Sequence, residues 1–264
     1  MQVILRLIML WTLLLFSSLA LAEFKRSIVE SGGDVSLPSG CVGSDQRIQL
    51  KNGIVEMLKS SGEVYRVLLD KQLGSLPIYI GSEGNPALCV LAFKYAENDV
   101  NETYTVFVFA PKADRYSASR IGFVTNPDFS SGLIKSNYKD GPVTYNDNLC
   151  FSKQNKDYYL CGRREQFTEN LEKAQKCGEL QCAPSSIVKE GTNVSVSAVV
   201  ISSKASLFKE EGASHFERRN GYLVLGDEVV LTDFGQGESG LYYQVDFRGR
   251  SIGWIFSGDL RVKD

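Results

Sequence analysis

Histidine is nearly missing from this chain: His215 is the only one in 264 residues. A Ser-His-Asp hydrolase, a Cys-His peptidase or a multi-histidine zinc site would each have to be built around that one side chain. It sits in a polar stretch near the C-terminus, where an exposed loop residue is the expected role. Charge of one sign is missing too. Residues 23–200 hold 20 Lys and Arg against 21 Asp and Glu, and residues 201–264 hold 8 against 10. Neither part builds the positive field that nucleic acid requires. No G-x-S-x-G, P-loop or dinucleotide fingerprint stands in a strand-turn-helix setting, so no cofactor is expected. A hydrolase built on two carboxylates needs no histidine and stays open, because sequence does not measure the separation of an acid pair.

Long apolar runs are also lacking. Leu7 to Phe16 follows the single cation Arg6 and is uncharged, but it falls short of the ~20 residues that span a bilayer. Ser17 and Ser18 lead into Ala20-Leu21-Ala22, and Glu23-Phe24-Lys25-Arg26 then turns polar. The expectation is a signal peptide over residues 1–22, cleaved after Ala22, with export to the periplasm or beyond. The competing reading is an uncleaved anchor. With cleavage, no membrane span remains. The first cysteine is Cys41, so the cleavage point carries no site for a lipid anchor.

Six cysteines follow the signal: Cys41, Cys89, Cys150, Cys161, Cys177 and Cys182. Their even number suits complete pairing in an oxidising compartment. A turn at Gln154-Asn155-Lys156-Asp157 folds Phe151–Leu160 into a hairpin that brings Cys150 to Cys161. Cys177 and Cys182 close a short local loop, and Cys41 and Cys89 are left to each other. A zinc knuckle fits poorly, since ten residues lie between Cys150 and Cys161 where ligand gaps are normally two to four.

The remaining pattern is mainly β. Short apolar alternations bounded by Gly, Asn, Asp and Ser recur, as in Tyr104–Phe109 and Tyr242–Phe247. Arg164–Lys176 is the one candidate helix, with a polar strand and turn as its alternative. The acidic loops Glu97–Glu102 and Tyr138–Pro142 lack the spacing of a calcium loop and read as solvated turns. The composition changes after Cys182. The expected organisation is therefore a disulfide-stapled β-rich domain over 23–200 and a small cysteine-free barrel over 201–264.

That C-terminal segment reads as five short strands with a polar insert at Lys209–Asn220. Tyr222-Leu223-Val224-Leu225-Gly226-Asp227-Glu228-Val229, the aromatic stretch Leu241-Tyr242-Tyr243, and Gly253-Trp254-Ile255 with Leu260 occur in the order found in the bacterial SH3-like (SH3b) domain, which the segment resembles over residues 203–263. Tyr242 and Tyr243 alternate faces, so one is expected in the core and the other exposed. Trp254 is expected to be buried. Tyr242, Tyr243 and Trp254 are the candidate binding residues. In general layout the large domain resembles periplasmic lysozyme-inhibitor and immunity proteins. These resemblances imply a non-enzymatic binding protein whose partner is a cell-wall hydrolase or toxin. Peptidoglycan is the alternative partner, and an acid-pair cell-wall hydrolase the alternative activity.

Overall fold

Alternating apolar side chains between glycine turns fold as strands throughout the computed structural model of the chain, which describes residues 24–68, 75–84, 86–129, 133–212 and 214–263. The expected signal sequence, 1–22, lies outside the described residues. No α-helix occurs among the described residues, which form four sheets stapled by three disulfides. The protein is thus mainly β, and its disulfides are of the kind that persist in oxidising, non-cytoplasmic compartments. Two compact units form. One consists of the described residues up to Leu91 with Phe109–Tyr116 and Phe129; the other of Ala92–Val108, Ser117–Asp128 and Leu133 onward.

The N-terminal strands are β1 (Lys25–Glu30), β2 (Asp34–Ser36), β3 (Arg47–Lys51), β4 (Ile54–Leu58), β5 (Val64–Leu68), β6 (Ser75–Glu83), β7 (Leu88–Glu97), β8 (Glu102–Ala110) and β9 (Arg115–Thr125). β2 to β5 form a meander, and a second sheet runs β1-β6-β7-β8-β9, with β9 at its edge. Within the first unit, Ile48, Leu50, Val55, Met57, Leu76 and Ile78 are wholly buried. Cys41 is bonded to Cys89, closing a 48-residue separation. A cross-link over so long a loop removes much of the unfolded chain's entropy, about 4 kcal/mol in the chain-entropy model. Gly43 has φ +96°, and a Cβ there would lie 2.5 Å from the Phe109 ring. Only glycine lets that ring lie on the turn.

The third sheet runs in sequence order through β10 (Pro127–Asp128), β11 (Ile134–Asp140), β12 (Val143–Ser152), β13 (Asp157–Gln166), β14 (Leu171–Lys176) and β15 (Ser186–Lys189). The expected helix over Arg164–Lys176 is instead the end of β13, a turn and β14. Its backbone groups are taken by strand ladders on both sides: Arg164 pairs with Asn146 on β12 and with Ala174 on β14. Phe167 in the turn stacks on Phe234 with centroids 3.8 Å apart. Tertiary pairing thus outweighs the weak local preference.

The last sheet uses β16 (Ser197–Val200), β17 (Lys204–Glu210), β18 (Phe216–Val224), β19 (Glu228–Gly237), β20 (Gly240–Phe247), β21 (Arg250–Phe256) and β22 (Leu260–Val262), in the order β18-β17-β21-β20-β19-β16-β22. It begins before residue 201, because β16 pairs with both β19 and β22. Its core also takes in Leu171, Ile187 and Val196, so apolar packing runs through the segment where the sequence suggested a boundary.

The polar insert at Lys209–Asn220 is not a loop; most of it extends the β17–β18 hairpin. This changes the fate of the tyrosine pair. Tyr243 points into the core as expected, but Tyr242 on the opposite face is buried as well, the two being 5% and 6% exposed. The hairpin supplies the cover: Phe216 stacks on Tyr242 at 4.2 Å, and Phe208 meets it edge-on. Trp254 packs against Phe216 and is 8% exposed. At Gly235 a Cβ would stand 2.7 Å from Phe216, so that strand too must yield to the aromatic cluster. Leu225 stands in the turn before β19 and is 66% exposed.

Trp254→Ala should therefore lower unfolding stability by about 3–5 kcal/mol, whereas Leu225→Ala should change it by less than about 0.5 kcal/mol. Urea denaturation of the full chain checks both, and comparable losses at the two sites would contradict this packing.

Candidate functional site

The second unit carries a cavity of about 580 Å³ between the edge strand β9 and one face of β11–β13. The ladder explains the face. Opposite partners in register are Ser136 with Asp147, Tyr138 with Tyr145, and Asp147 with Arg163, so their side chains stand together across three strands. Leu149 lies two residues beyond Asp147 and shares its face. Leu160 and Arg163 are three apart and would point oppositely in a regular strand. The register slips between Asn148 and Leu149, and this bulge puts Leu160 and Arg163 on the same wall.

The extra residue in that bulge is Cys161, bonded to Cys150 with Cα atoms 5.6 Å apart. The cysteines pair as the sequence suggested, but by a different route. In the register Cys150 faces Tyr159, and the slip brings Cys161 within reach. Cys177 pairs with Cys182 across its own loop.

The two arginines of the cavity wall are each ion-paired. Arg163 donates from Nε and Nη2 to the two Asp147 oxygens, each at 2.7 Å. The guanidinium also lies 5.7 Å from the Tyr145 ring centre, and Tyr145 stacks on Tyr138 at 4.9 Å. The Asp147 hydrogen bonds hold Arg163 protonated well above its ordinary range, while burial pushes the Tyr138 and Tyr145 phenols up. On the β9 side, Asp157 accepts from Ser119 Oγ, from the Arg120 amide and from Arg120 Nε. Further along, the Thr125 amide donates to Ser136 Oγ, whose hydroxyl donates back to the Thr125 carbonyl. Side chains thus imitate a neighbouring strand at two points on this edge, which protects it from pairing with another chain.

The rim is apolar. Phe123 is 56% exposed and lies 4.8 Å from Tyr95, which is 51% exposed. Glu179, in the loop closed by Cys177 and Cys182, also lines the cavity. Its carboxylate accepts from Ser152 Oγ at 2.6 Å and Asn155 Nδ2 at 2.7 Å.

None of the three binding candidates named from sequence joins this site: Tyr242, Tyr243 and Trp254 are packed in the last sheet. His215 is exposed in the β17–β18 turn, where its carbonyl accepts from the Glu211 amide. In the loop expected to be a solvated turn, Asn98 Oδ1 accepts from the amides of Val100 and Asn101. Sequence reasoning missed Phe123, Tyr138, Asp147 and Arg163. The alternation Tyr145-x-Asp147-x-Leu149 was a usable signal for one wall, but nothing local marks the bulge. Comparison with protein-family models, with curated proteins and with solved structures found no match for this chain.

Two outcomes follow from the geometry. Arg163→Ala leaves the Asp147 carboxylate, nearly buried, without its bidentate partner and should cost about 1–3 kcal/mol in urea denaturation; an unchanged midpoint would show the pair to be solvent-screened. For these partly buried phenols the folded-state pKa lies above the unfolded one. Their contribution is fully present below the ordinary tyrosine value of ~10 and is lost as pH rises through the folded values. Ultraviolet titration should show Tyr138 and Tyr145 ionising later than free tyrosine, and Tyr138→Phe should reduce the amplitude of the late step by one phenol.

Proposed function

We propose that this chain is an exported, non-enzymatic binding protein of the cell envelope, acting in the periplasm or after secretion. Its large β region holds a protein partner, a cell-wall hydrolase or toxin that it neutralises. The observation that carries this reading is the exposed aromatic pair of Phe123 and Tyr95 beside a cavity whose arginines are each already ion-paired. Exposed aromatic side chains on a rigid frame provide contact area at little entropic cost. Both Asp147 oxygens accept from Arg163, so this carboxylate serves to hold the guanidinium in place, a role that suits positioning better than acid-base work.

A second reading has its own support. Tyr222 is half-exposed on the edge strand β18, with the Lys204 ammonium 4.2 Å from its ring centre. In the SH3-like module that the last sheet resembles in sequence, such a surface suits peptidoglycan, with the tyrosine face reading sugars or peptide stems.

Calorimetric titration of the full chain against purified muramidase, amidase and endopeptidase, beside sedimentation with purified cell walls, separates the two. The protein-partner reading expects binding to at least one enzyme, weakened about tenfold by Phe123→Ala, and no enzymatic release of soluble wall fragments. Sedimentation with walls that Tyr222→Ala abolishes, with no enzyme bound, would favour the polymer instead.

A further inference from the structure

The cavity between β9 and the β11–β13 face, about 580 Å³ in volume, falls within the range of small-ligand sites, about 300–1,000 Å³. Its length follows from the strand on its open side. The Arg120 amide is tied to Asp157 at the start of β13, and the Thr125 amide to Ser136 on β11. At ~3.3 Å per residue these two ties stand about 16 Å apart at most, which is room for a short oligomer rather than a single small molecule.

The wall offers hydrogen-bonding capacity rather than charge. Arg120 and Arg163 line it, and each is ion-paired, with Asp157 and Asp147 respectively, so an anion gains little there. Glu179 also lines it and carries no ion pair among the described residues, but it is exposed, where water screens a single charge. Unspent donors and acceptors remain. Arg163 binds Asp147 through Nε and Nη2, and Nη2 also approaches the Tyr138 hydroxyl at 3.4 Å. Its Nη1 N–H groups have no partner among the described residues. Arg120 spends only Nε. Glu179 accepts from Ser152 and Asn155 through the same oxygen, Oε2, which leaves Oε1 open to a ligand. These groups are fixed in place: the Glu179 loop is closed by Cys177–Cys182 and its Cys177 amide donates to the Cys161 carbonyl at 3.0 Å.

Apolar surface adjoins them. Phe123, Leu149, Leu160 and Tyr158 line the same cavity, with Tyr158 held edge-on to Phe151 at 5.2 Å. A sugar ring has the matching form, with hydroxyls around its edge and C–H groups on its faces. The electron-rich face of an aromatic ring attracts such C–H groups. Each hydroxyl both donates and accepts, so neighbouring hydroxyls satisfy a guanidinium N–H and a carboxylate oxygen together. An extended peptide would instead take its bonds from the β9 edge, and side chains already occupy that edge at Arg120 and Thr125.

We propose that this cavity binds a short, uncharged stretch of glycan, with Arg163 Nη1 and Arg120 donating, Glu179 Oε1 accepting and Phe123 packing on a sugar face. The site goes beyond the protein-partner reading and does not depend on it. It is also a different surface from Tyr222 on β18. Because the donors and rings are positioned before the ligand arrives, little ordering remains to oppose binding.

The full chain is titrated calorimetrically with the neutral N-acetylglucosamine trisaccharide, its cationic deacetylated form, a galacturonate trisaccharide and a blocked alanine tetrapeptide. The neutral trisaccharide should bind at least about tenfold more tightly than the other three. Arg163→Lys keeps a cation beside Asp147 but removes the guanidinium fork, and should weaken that binding about tenfold. Leu160→Trp, at a half-buried position in the wall, should fill the groove and abolish binding with the urea midpoint little changed. In the parent chain, nuclear magnetic resonance shifts induced by the trisaccharide should gather at Phe123, Leu160 and Arg163, a readout that needs no variant. Shifts confined to other residues, or no binding of the neutral trisaccharide at millimolar concentration, overturn the site. Equal or tighter binding of either charged trisaccharide overturns the neutral ligand, and binding of the peptide in its place overturns the glycan. Binding lost with Tyr222→Ala but kept with Leu160→Trp overturns this cavity in favour of the last sheet. Titration against the hydrolases is read separately, so failure here leaves the protein-partner reading standing.

Discussion

Between Asn148 and Leu149 the β12–β13 ladder slips by one residue, and the parity of every side chain past it depends on that slip. Without it Arg163 would leave the face it shares with Leu160, Asp147 would lose its partner, and Cys161 would not reach Cys150. A one-residue change of register exchanges the two faces of a strand. The bulge is therefore the constraint from which the cavity wall, the second disulfide and the attachment point of the third are all derived.

The disulfides divide into two kinds of work. Cys41–Cys89 spans a long separation and acts chiefly on the unfolded chain. Cys150–Cys161 and Cys177–Cys182 close separations of only 11 and 5 residues, and restrict loop-closure entropy less. Their structural effect is local: one pins the bulge, the other holds a four-residue loop whose backbone then hydrogen-bonds onto the first. Rigid connection passes in this way from a ladder irregularity to an exposed side chain.

In the last sheet the organising element is an aromatic cluster rather than a charge. Phe208, Phe216, Tyr242, Trp254 and Phe256 meet at centroid separations of 4.2–5.5 Å, mostly edge-to-face, the arrangement that ring quadrupoles favour. Phe216 is the link, because it comes from the lengthened hairpin and closes a face that would otherwise be wet. On the other face, the Tyr243 side, apolar packing runs to Leu171 and Ile187 on β14 and β15, which joins this sheet to the one before it.

By itself the sequence determined the class and the staples. Period-two alternation has to make strands, and an even set of cysteines with short spacings inside it admits few partners, so the mainly β chain and its three bridges were legible residue by residue. The first and last turns of the hairpins were legible too, because Gly, Asn and Asp mark them. Other features were settled only in three dimensions. Arg164–Lys176 is a strand because two neighbours take its backbone bonds. Tyr242 is buried because Phe216, 26 positions away, folds onto it, so alternation alone named a solvent face that another strand covers. Arg163 meets Asp147 because of a bulge that leaves no local mark. Leu180 lies between both cases: a leucine in a four-residue ring between cysteines has no room to turn inward, but the fastening of its loop depends on the hydrogen bonds of Glu179 to another turn. Local pattern fixes which backbone shape is cheapest, whereas the company a side chain keeps is decided by registers and covers that form only when distant strands meet.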